Sequence, residues 1–472
     1  MRFLSNAILV LTLSLSWTAA KADNRPPNII FMHSHNTGQF VQPFGHSVPT
    51  PNLQRLAEEG VLFRRAFAAA PTCSPSRAAF LTGTYPHVCG MLGLAHRNFS
   101  MPDYSLHLAN ILKPHGYLTL QAGVEHTAPD TETVGYDRIL STDDTNYPDK
   151  PGHPPAARAV VDFLDGEQGQ PFFLSLGLNE THIPYPDADP ENHPAEDERY
   201  CLPPRPLPDT PEIRAQTAAF KASARVMDQG YGAVLDALER NGLADNTLVI
   251  CFSDHGLQFA RNMCNLTDHG IGVYLVIRGP GGFVGGQVND ALVSLIDLVP
   301  TACEAAGTDV PGHVLGKALQ PLVAVGGSGL RAECWRDEVF AEVNYHAAYE
   351  PMRCVRTERY KYIRRYDDRE RLVLPNSDET PAKQLLLRHG WMEQPRPQEM
   401  LYDLIFDPDE AGNLVEKPEM ADVLTDMRGR LARWMKETDD PLLPDGHVRA
   451  PSGSKVSGVD GLTPRDDVQT MP

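Results

Sequence analysis

Basic residues are scarce in this chain: 42 lysines and arginines face 61 aspartates and glutamates across 472 residues, a formal charge of -19. That balance argues against a nucleic-acid or anionic-membrane partner, and an anionic small substrate would need a local cationic site to hold it. Cysteine is sparse too. Eight in a chain this long do not make a disulfide-built scaffold. Cys251, inside the apolar run Thr247-Leu248-Val249-Ile250-Cys251-Phe252, reads as a buried core thiol. Internal repeats are absent. After the first residues no stretch is apolar enough for long enough to span a bilayer.

The first residues are the exception. Arg2, the run Ala7-Ile8-Leu9-Val10-Leu11-Thr12-Leu13-Ser14-Leu15-Ser16-Trp17 and the small-residue stretch Ala20-Lys21-Ala22 have the layout of a cleavable secretory signal over residues 1–22. The run is too short to cross a membrane. The expectation is an exported protein, periplasmic, extracellular or lysosomal according to its source. About 450 residues then remain, more than one core usually supports, so two domains are expected.

Short apolar runs alternating with helical patterns predict an α/β domain over residues 23–330, with a largely parallel sheet covered on both faces. Candidate strands are 28–33, 117–122, 171–178, 247–252 and 273–277. Thr50-Pro51 reads as a capped helix start and Gly60 as its end. Residues 212–240 and 300–306 read as further helices. After a Gly- and Pro-rich stretch the pattern changes to alternating strands, as in Glu338-Val339-Phe340-Ala341-Glu342-Val343, Met352-Arg353-Cys354-Val355-Arg356 and Tyr360-Lys361-Tyr362-Ile363-Arg364-Arg365. These predict antiparallel pairing in a smaller α+β domain over 331–445, with a helix near 420–437. The polar tail, 446–472, is expected to be disordered.

The stretch Pro71-Thr72-Cys73-Ser74-Pro75-Ser76-Arg77-Ala78-Ala79-Phe80-Leu81 carries the chemistry. Ser74 reads as a cap and Pro75 as the first-turn residue, which puts Cys73 at a helix N-terminus where free amides and the positive dipole end favour an anion. Arg77, one turn in, can reach the same anion. From the residues alone, Cys73 is either a thiolate of lowered pKa or a plain structural cysteine.

Cys73-Ser74-Pro75-Ser76-Arg77, continued by Ala78-Ala79-Phe80-Leu81-Thr82-Gly83-Thr84-Tyr85-Pro86-His87, resembles the signature of the sulfatase family, in which Cys-x-Pro-x-Arg directs oxidation of the cysteine to formylglycine. Within that family the pattern is most similar to the N-sulfoglucosamine sulfohydrolases. Phe63-Arg64-Arg65-Ala66-Phe67, Gly90-Met91-Leu92-Gly93-Leu94, Met227-Asp228-Gln229-Gly230 and Glu350-Pro351-Met352-Arg353-Cys354-Val355 carry that likeness. The resemblance implies an alkaline-phosphatase-like α/β fold with a smaller C-terminal domain containing an antiparallel sheet. It further implies a maturating enzyme that converts Cys73, a sulfated sugar or glycan as substrate, and a divalent metal, calcium by family habit.

Further site residues follow from the same resemblance. Ser253-Asp254-His255-Gly256, after a predicted strand, fits one half of the family's metal site. The other half departs from the pattern, because two adjacent acids are replaced by His35 and Asn36. With His255, these donors shift the site from oxygen towards nitrogen, away from calcium and towards zinc or manganese. His126 and His182 stand where the family has histidines that move protons. Two family cations are displaced, with Val124 and Met263 at their positions. Arg261, His269 and the His33/His35 pair are candidate replacements. The implied reaction is attack on sulfur by hydrated formylglycine, with Arg77 and the metal holding the sulfuryl group, His182 protonating the leaving atom and His126 assisting sulfate release. A formylglycine-dependent phosphonate or phosphodiester hydrolase and a degenerate binder of sulfated glycans are the competing readings.

Overall fold

The computed structural model describes residues 25–142, 154–185, 194–323 and 335–472, with only the backbone of 444 and 445. The expected signal segment lies outside the described residues.

The apolar runs form the centre of an eight-stranded mixed sheet. Across it the strands run Gln287–Asn289, Val61–Phe63, Leu275–Arg278, Thr247–Ser253, Asn28–Ser34, Phe172–Gly177, Leu118–Gly123 and Arg138–Ser141. All pairings are parallel except those of Leu275–Arg278, which is antiparallel to both neighbours. Every residue of Asn28–Ser34, Phe172–Gly177 and Thr247–Ser253 is buried. This explains why these strands read as continuous rather than alternating apolar runs: both faces are covered. One face packs on a cluster with Phe80, Leu108, Leu298 and Val299, the other on one with Leu53, Leu56, Met227, Val234 and Leu238. Cys251 is fully buried in the second cluster, as read from its run.

The expected helices are Pro51–Glu59, Pro211–Arg240, Leu298–Ala306 and Ala421–Glu437. One detail differs. Thr50 occupies the cap position of its helix without capping it, because its hydroxyl accepts from the Gln42 amide at 2.9 Å instead. The C-terminal strands Glu338–Tyr345, Tyr349–Thr357, Tyr360–Arg365 and Glu399–Asp403 make a four-stranded antiparallel sheet in sequence order. Leu424, Met427, Leu431 and Trp434 form the buried face of the last long helix. The fold is thus the α/β arrangement with a C-terminal antiparallel sheet that the resemblance implied.

The expectation of a disordered tail is overturned. Lys455–Val456 pairs with Gln469–Thr470, and Ser454, Val456 and Ser457 are buried. Among the described residues all seven cysteines are free and buried.

Candidate active site

Asn28–Ser34 and Thr247–Ser253 are parallel neighbours that end together, Ser34 opposite Ser253. Ligand sites in open α/β sheets form beyond such carboxyl ends. Here the two following loops are tied into one unit. The Ser253 hydroxyl accepts from the amides of Thr37 and Gly38 at 3.0 and 2.9 Å and donates to the His255 carbonyl at 2.8 Å. Asp254 Oδ1 accepts from the amides of Asn36 and His255 at 2.8 and 2.9 Å. The loop after Phe172–Gly177 joins them, with His35 and Glu180 and then Thr181 and His35 exchanging backbone bonds at 3.0 and 2.8 Å. Gly256 is required where it stands: a Cβ there would meet the His269 carbonyl oxygen at 2.1 Å. Asn36 adopts φ 64°, a left-handed conformation that asparagine tolerates better than most residues.

Cys73 is the first residue of the helix Cys73–Thr82, all of it buried. Thr72, not Ser74, is the cap residue, and it makes no side-chain cap bond. The Ser74 hydroxyl accepts from the Ala95 amide at 2.9 Å, while the Thr72 hydroxyl bonds His346 Nδ1 at 2.7 Å. The helix does begin at Cys73; Pro75 has no amide hydrogen and the Ser76 amide bonds the Thr72 carbonyl at 3.0 Å, so of the first turn the amides of Cys73 and Ser74 are the ones a ligand could use.

Around the sulfur the sequence-derived residues converge. Cys73 Sγ lies 3.0 Å from His35 Nε2, 3.4 Å from His255 Nε2 and 3.9 Å from Asn36 Oδ1. His35 Nε2 is 3.6 Å from Asp254 Oδ2. Donor atoms of His35, Cys73, Asp254 and His255 all lie within 4.8 Å of one another. Arg77 is fully buried. It pairs with Asp254 Oδ2 at 3.0 Å and donates to the Val124 carbonyl at 3.0 Å, leaving its Nε–H without a partner.

The electrostatics favour neutral side chains. Burial, then the neighbouring His182 and Arg77, holds His35 well below the usual histidine range. Burial also lowers His255, against the pull of Asp254. The Cys73 thiol is pushed well up by burial and by Asp254, so the lowered-pKa thiolate is not what the fold makes. Desolvation outweighs the helix end and Arg77.

His182 and His126 flank this cluster, their ring centroids 4.5 and 5.5 Å from that of His35. His126 has φ 62°, an uncommon conformation for a non-glycine residue, and its buried Nδ1 has no hydrogen-bond partner. Of the candidate replacement cations, His33 bonds Arg77 Nη1 and Ser175 Oγ, each at 3.0 Å, and so backs the site from behind. Arg261 and His269 line a different cavity, of about 930 Å³, that none of the residues around Cys73 lines. Val124 and Met263 are buried.

Three residues escape a sequence reading. Gln258 Oε1 accepts from Asn36 Nδ2 at 2.7 Å and from the Ile183 amide at 2.9 Å. Its Nε2 faces Asp378 Oδ2 at 2.6 Å and His182 Nε2 at 3.3 Å. Asp378 and His346 come from the C-terminal half. No residue type marks these positions in advance.

A family model described as Sulfatase matches residues 8–308, and one described as N-sulphoglucosamine sulphohydrolase, C-terminal, matches 254–388. The human N-sulphoglucosamine sulphohydrolase is 29% identical over 89% of this chain and 93% of its own length. An ulvan-active sulfatase of Formosa agariphila is 27% identical over 89% of this chain and 77% of its own. A solved structure described as being in complex with its substrate D-glucosamine-2-N,6-O-disulfate superposes with a TM-score of 0.67, at 19% identity, over 88% of this chain and 99% of that one. No helix among the described residues is long and apolar enough to cross a membrane.

Proposed function

The chain belongs to the sulfatase family, and on that premise we propose that it hydrolyses a sulfate ester or sulfamate on a sulfated sugar or glycan, glucosamine-containing by the likeness of its relatives, through a formylglycine made from Cys73. One observation carries the proposal: Cys73 sits at the N-terminus of a buried helix, with the buried Arg77 beside it and the histidines around it. As encoded, Cys73 is a neutral thiol and a weak nucleophile. Formylglycine at this position supplies, as its hydrate, a hydroxyl nucleophile and a second hydroxyl through which sulfate is released. A maturating enzyme carries out the conversion, and export follows from residues 1–22.

The chain's own residues do the rest. The unpartnered Nε–H of Arg77 and the amides of Cys73 and Ser74 at the start of Cys73–Thr82 hold the sulfuryl oxygens in a site that water barely reaches. The carbonyl of Ile183 accepts from His182 Nδ1, which leaves a lone pair on Nε2 facing the Gln258 amide. His182 therefore protonates the leaving oxygen or nitrogen only after taking a second proton on Nε2 and turning from Gln258. His126, with its Nδ1 unpartnered, is the group that accepts a proton as sulfate departs.

A family calcium would expect six to eight oxygen donors. His35, His255, Asp254 and residue 73 do not offer them.

Cys73→Ala is expected to abolish turnover while leaving the unfolding midpoint within a few degrees. Rates on aryl sulfate, sulfamate and phosphodiester substrates are measured alongside, with peptide mass spectrometry of residue 73. Substantial activity in Cys73→Ala, or a phosphodiester rate exceeding both sulfur substrates, overturns the proposal. An unmodified Cys73 from a conversion-competent host, with no turnover, favours a glycan-binding role instead.

A further inference from the structure

The acceptors around Cys73 outnumber the protons available to them. His255 Nδ1 lies 3.1 Å from the Gly256 carbonyl oxygen, and His35 Nδ1 lies 3.3 Å from Asn179 Oδ1. A carbonyl oxygen can only accept, so each ring carries its proton on Nδ1 and presents a bare lone pair at Nε2. Both lone pairs point at the same sulfur, 3.0 and 3.4 Å away, and one S–H can serve only one of them. Asn36 turns its carbonyl oxygen the same way, at 3.9 Å, because its Nδ2 donates to Gln258. Asp254 Oδ2, which already accepts from Arg77 at 3.0 Å, lies 3.6 Å from His35 Nε2 and brings the negative charge of the group. A buried set of lone pairs with too few protons is the arrangement a cation satisfies.

The spacing tells which cation. A tetrahedral centre with bonds of about 2.0–2.3 Å has donor-to-donor edges of about 3.3–3.8 Å. The separations here are 3.0 and 3.4 Å from sulfur to the two imidazoles, 3.6 Å from His35 Nε2 to Asp254 Oδ2 and 3.9 Å from His255 Nε2 to Asp254 Oδ1, with the whole donor set inside 4.8 Å, a spread that small rotations of the side chains close. Anchoring each ligating imidazole through Nδ1–H to a carbonyl is the outer-shell pattern that fixes ring orientation in zinc sites. Imidazole donors suit zinc and its neighbours, whereas calcium takes carboxylates, carbonyls and water.

We propose that this centre takes a zinc-class transition-metal ion in place of calcium, held by His35 Nε2, His255 Nε2 and a carboxylate oxygen of Asp254, with residue 73 at the fourth vertex. The inference rests on the reading of the same residues as the sulfuryl-transfer site. With Cys73 unconverted, binding expels the thiol proton to solvent and sulfur is the fourth donor. After conversion, an oxygen of residue 73 takes that place.

The test uses the full chain, its state at residue 73 read by peptide mass spectrometry, stripped with chelator and titrated with Zn²⁺, Co²⁺ and Ca²⁺. One zinc per chain is expected, retained against a thousandfold excess of calcium. The cobalt form should show the intense visible bands of a four-coordinate ion, with a sulfur charge-transfer band only in the unconverted chain. His35→Asp should weaken zinc by more than about 100-fold, and Asn179→Leu, which removes only the anchor of the ring, by about 10- to 100-fold. The two variants together guard against misfolding of either. Displacement of zinc by equimolar calcium, a weak six-coordinate cobalt spectrum, or zinc affinity unchanged in both variants overturns the inference. Tight zinc without sulfohydrolase activity upholds it and sinks the proposed function. A calcium-loaded, active sulfohydrolase does the reverse.

Discussion

Gln258 shows how much of this site hangs on one side chain of unremarkable type. It is 3% exposed, and its amide orientation is fixed: two donors, Asn36 Nδ2 and the Ile183 amide, reach Oε1, while a carboxylate, Asp378, faces Nε2. It therefore sets the direction of the Asn36 carbonyl and the tautomer of His182 together. Gln258→Leu removes both constraints without touching the sulfuryl group, so kcat should fall by about 10- to 100-fold with KM little changed. A raised KM with unchanged kcat would mark Gln258 as a substrate contact and end its assignment as a positioning residue. The same residue shows what a sequence conveys. Cys73, Arg77, His35, Asn36, Asp254 and His255 are legible because each occupies a strand end or a helix start within a recognisable string. A glutamine four residues beyond Asp254 carries no such signal, and Asp378 and His346 reach the site only through tertiary folding. Ser74 was misread as a cap because its hydroxyl, free to choose, bonds the Ala95 amide across the loop.

At the scale of elements, the short helix Asp268–Ile271, which closes the loop begun at Asp254, is fastened to the C-terminal sheet by buried charges. Lys361, on the strand Tyr360–Arg365, is fully buried. It lies 2.5 Å from Asp268 and 3.1 Å from Glu410, and Arg356 adds a third link to Asp268 at 3.1 Å. Two carboxylates and one lysine cannot be equally content. Burial raises both acids, but Lys361 and Arg356 hold Asp268 well below the usual carboxylate range. Glu410 is pushed up to about 7 by burial and by Asp268, against the opposing pull of Lys361. The signs oppose. Asp268 contributes stability above its unfolded value that is lost as pH falls. Glu410, raised from 4.5, contributes stability that is complete below that value and is lost as pH rises through about 7. Wild-type protein should therefore lose unfolding free energy between about pH 4.5 and 7 from this group, and Glu410→Gln should flatten that decline in urea melts. Equal slopes for the two proteins would refute the assignment. Lys361→Met, which strands buried carboxylates, should cost about 3–5 kcal/mol. The strands carrying Arg356 and Lys361 are visible as alternating runs, but the four-residue helix Asp268–Ile271 and the pairing of Lys361 with a residue 93 positions away are not. Long-range charge contacts leave no local pattern.

The whole molecule closes on its own tail, and this is where composition misled most. Residues from Arg449 onward are polar and rich in Gly, Ser, Pro and Asp, too poor in apolar side chains to order themselves. They are ordered because the rest of the chain supplies their partners. Ser457 donates its amide to the Ala347 carbonyl at 2.8 Å and accepts from Arg97 at 3.1 Å. Lys383 donates to the Leu462 carbonyl at 2.6 Å, and Asn98 to the Gly453 carbonyl at 3.2 Å. Tyr345 donates to the Val448 carbonyl at 2.7 Å, while Val448 donates back to the Tyr349 hydroxyl at 2.9 Å. Between Tyr345 and Ala347 lies His346, whose ring holds Thr72 at the entry to the nucleophile helix. The tail thus braces, at one remove, the residue that precedes Cys73. Removing 448–472 would leave Arg97, Lys383 and the Ala347 carbonyl without these partners, each lost bond costing on the order of 1 kcal/mol. The thermal midpoint should drop by roughly 5 °C or more, amide exchange should accelerate over residues 345–347, and kcat should fall while the composition of the Cys73 centre stays the same. A truncated protein with unchanged midpoint and turnover would reduce the tail to a passive cover. A lowered midpoint with unchanged exchange at 345–347 would show that its stabilising contacts do not run through His346 to the site.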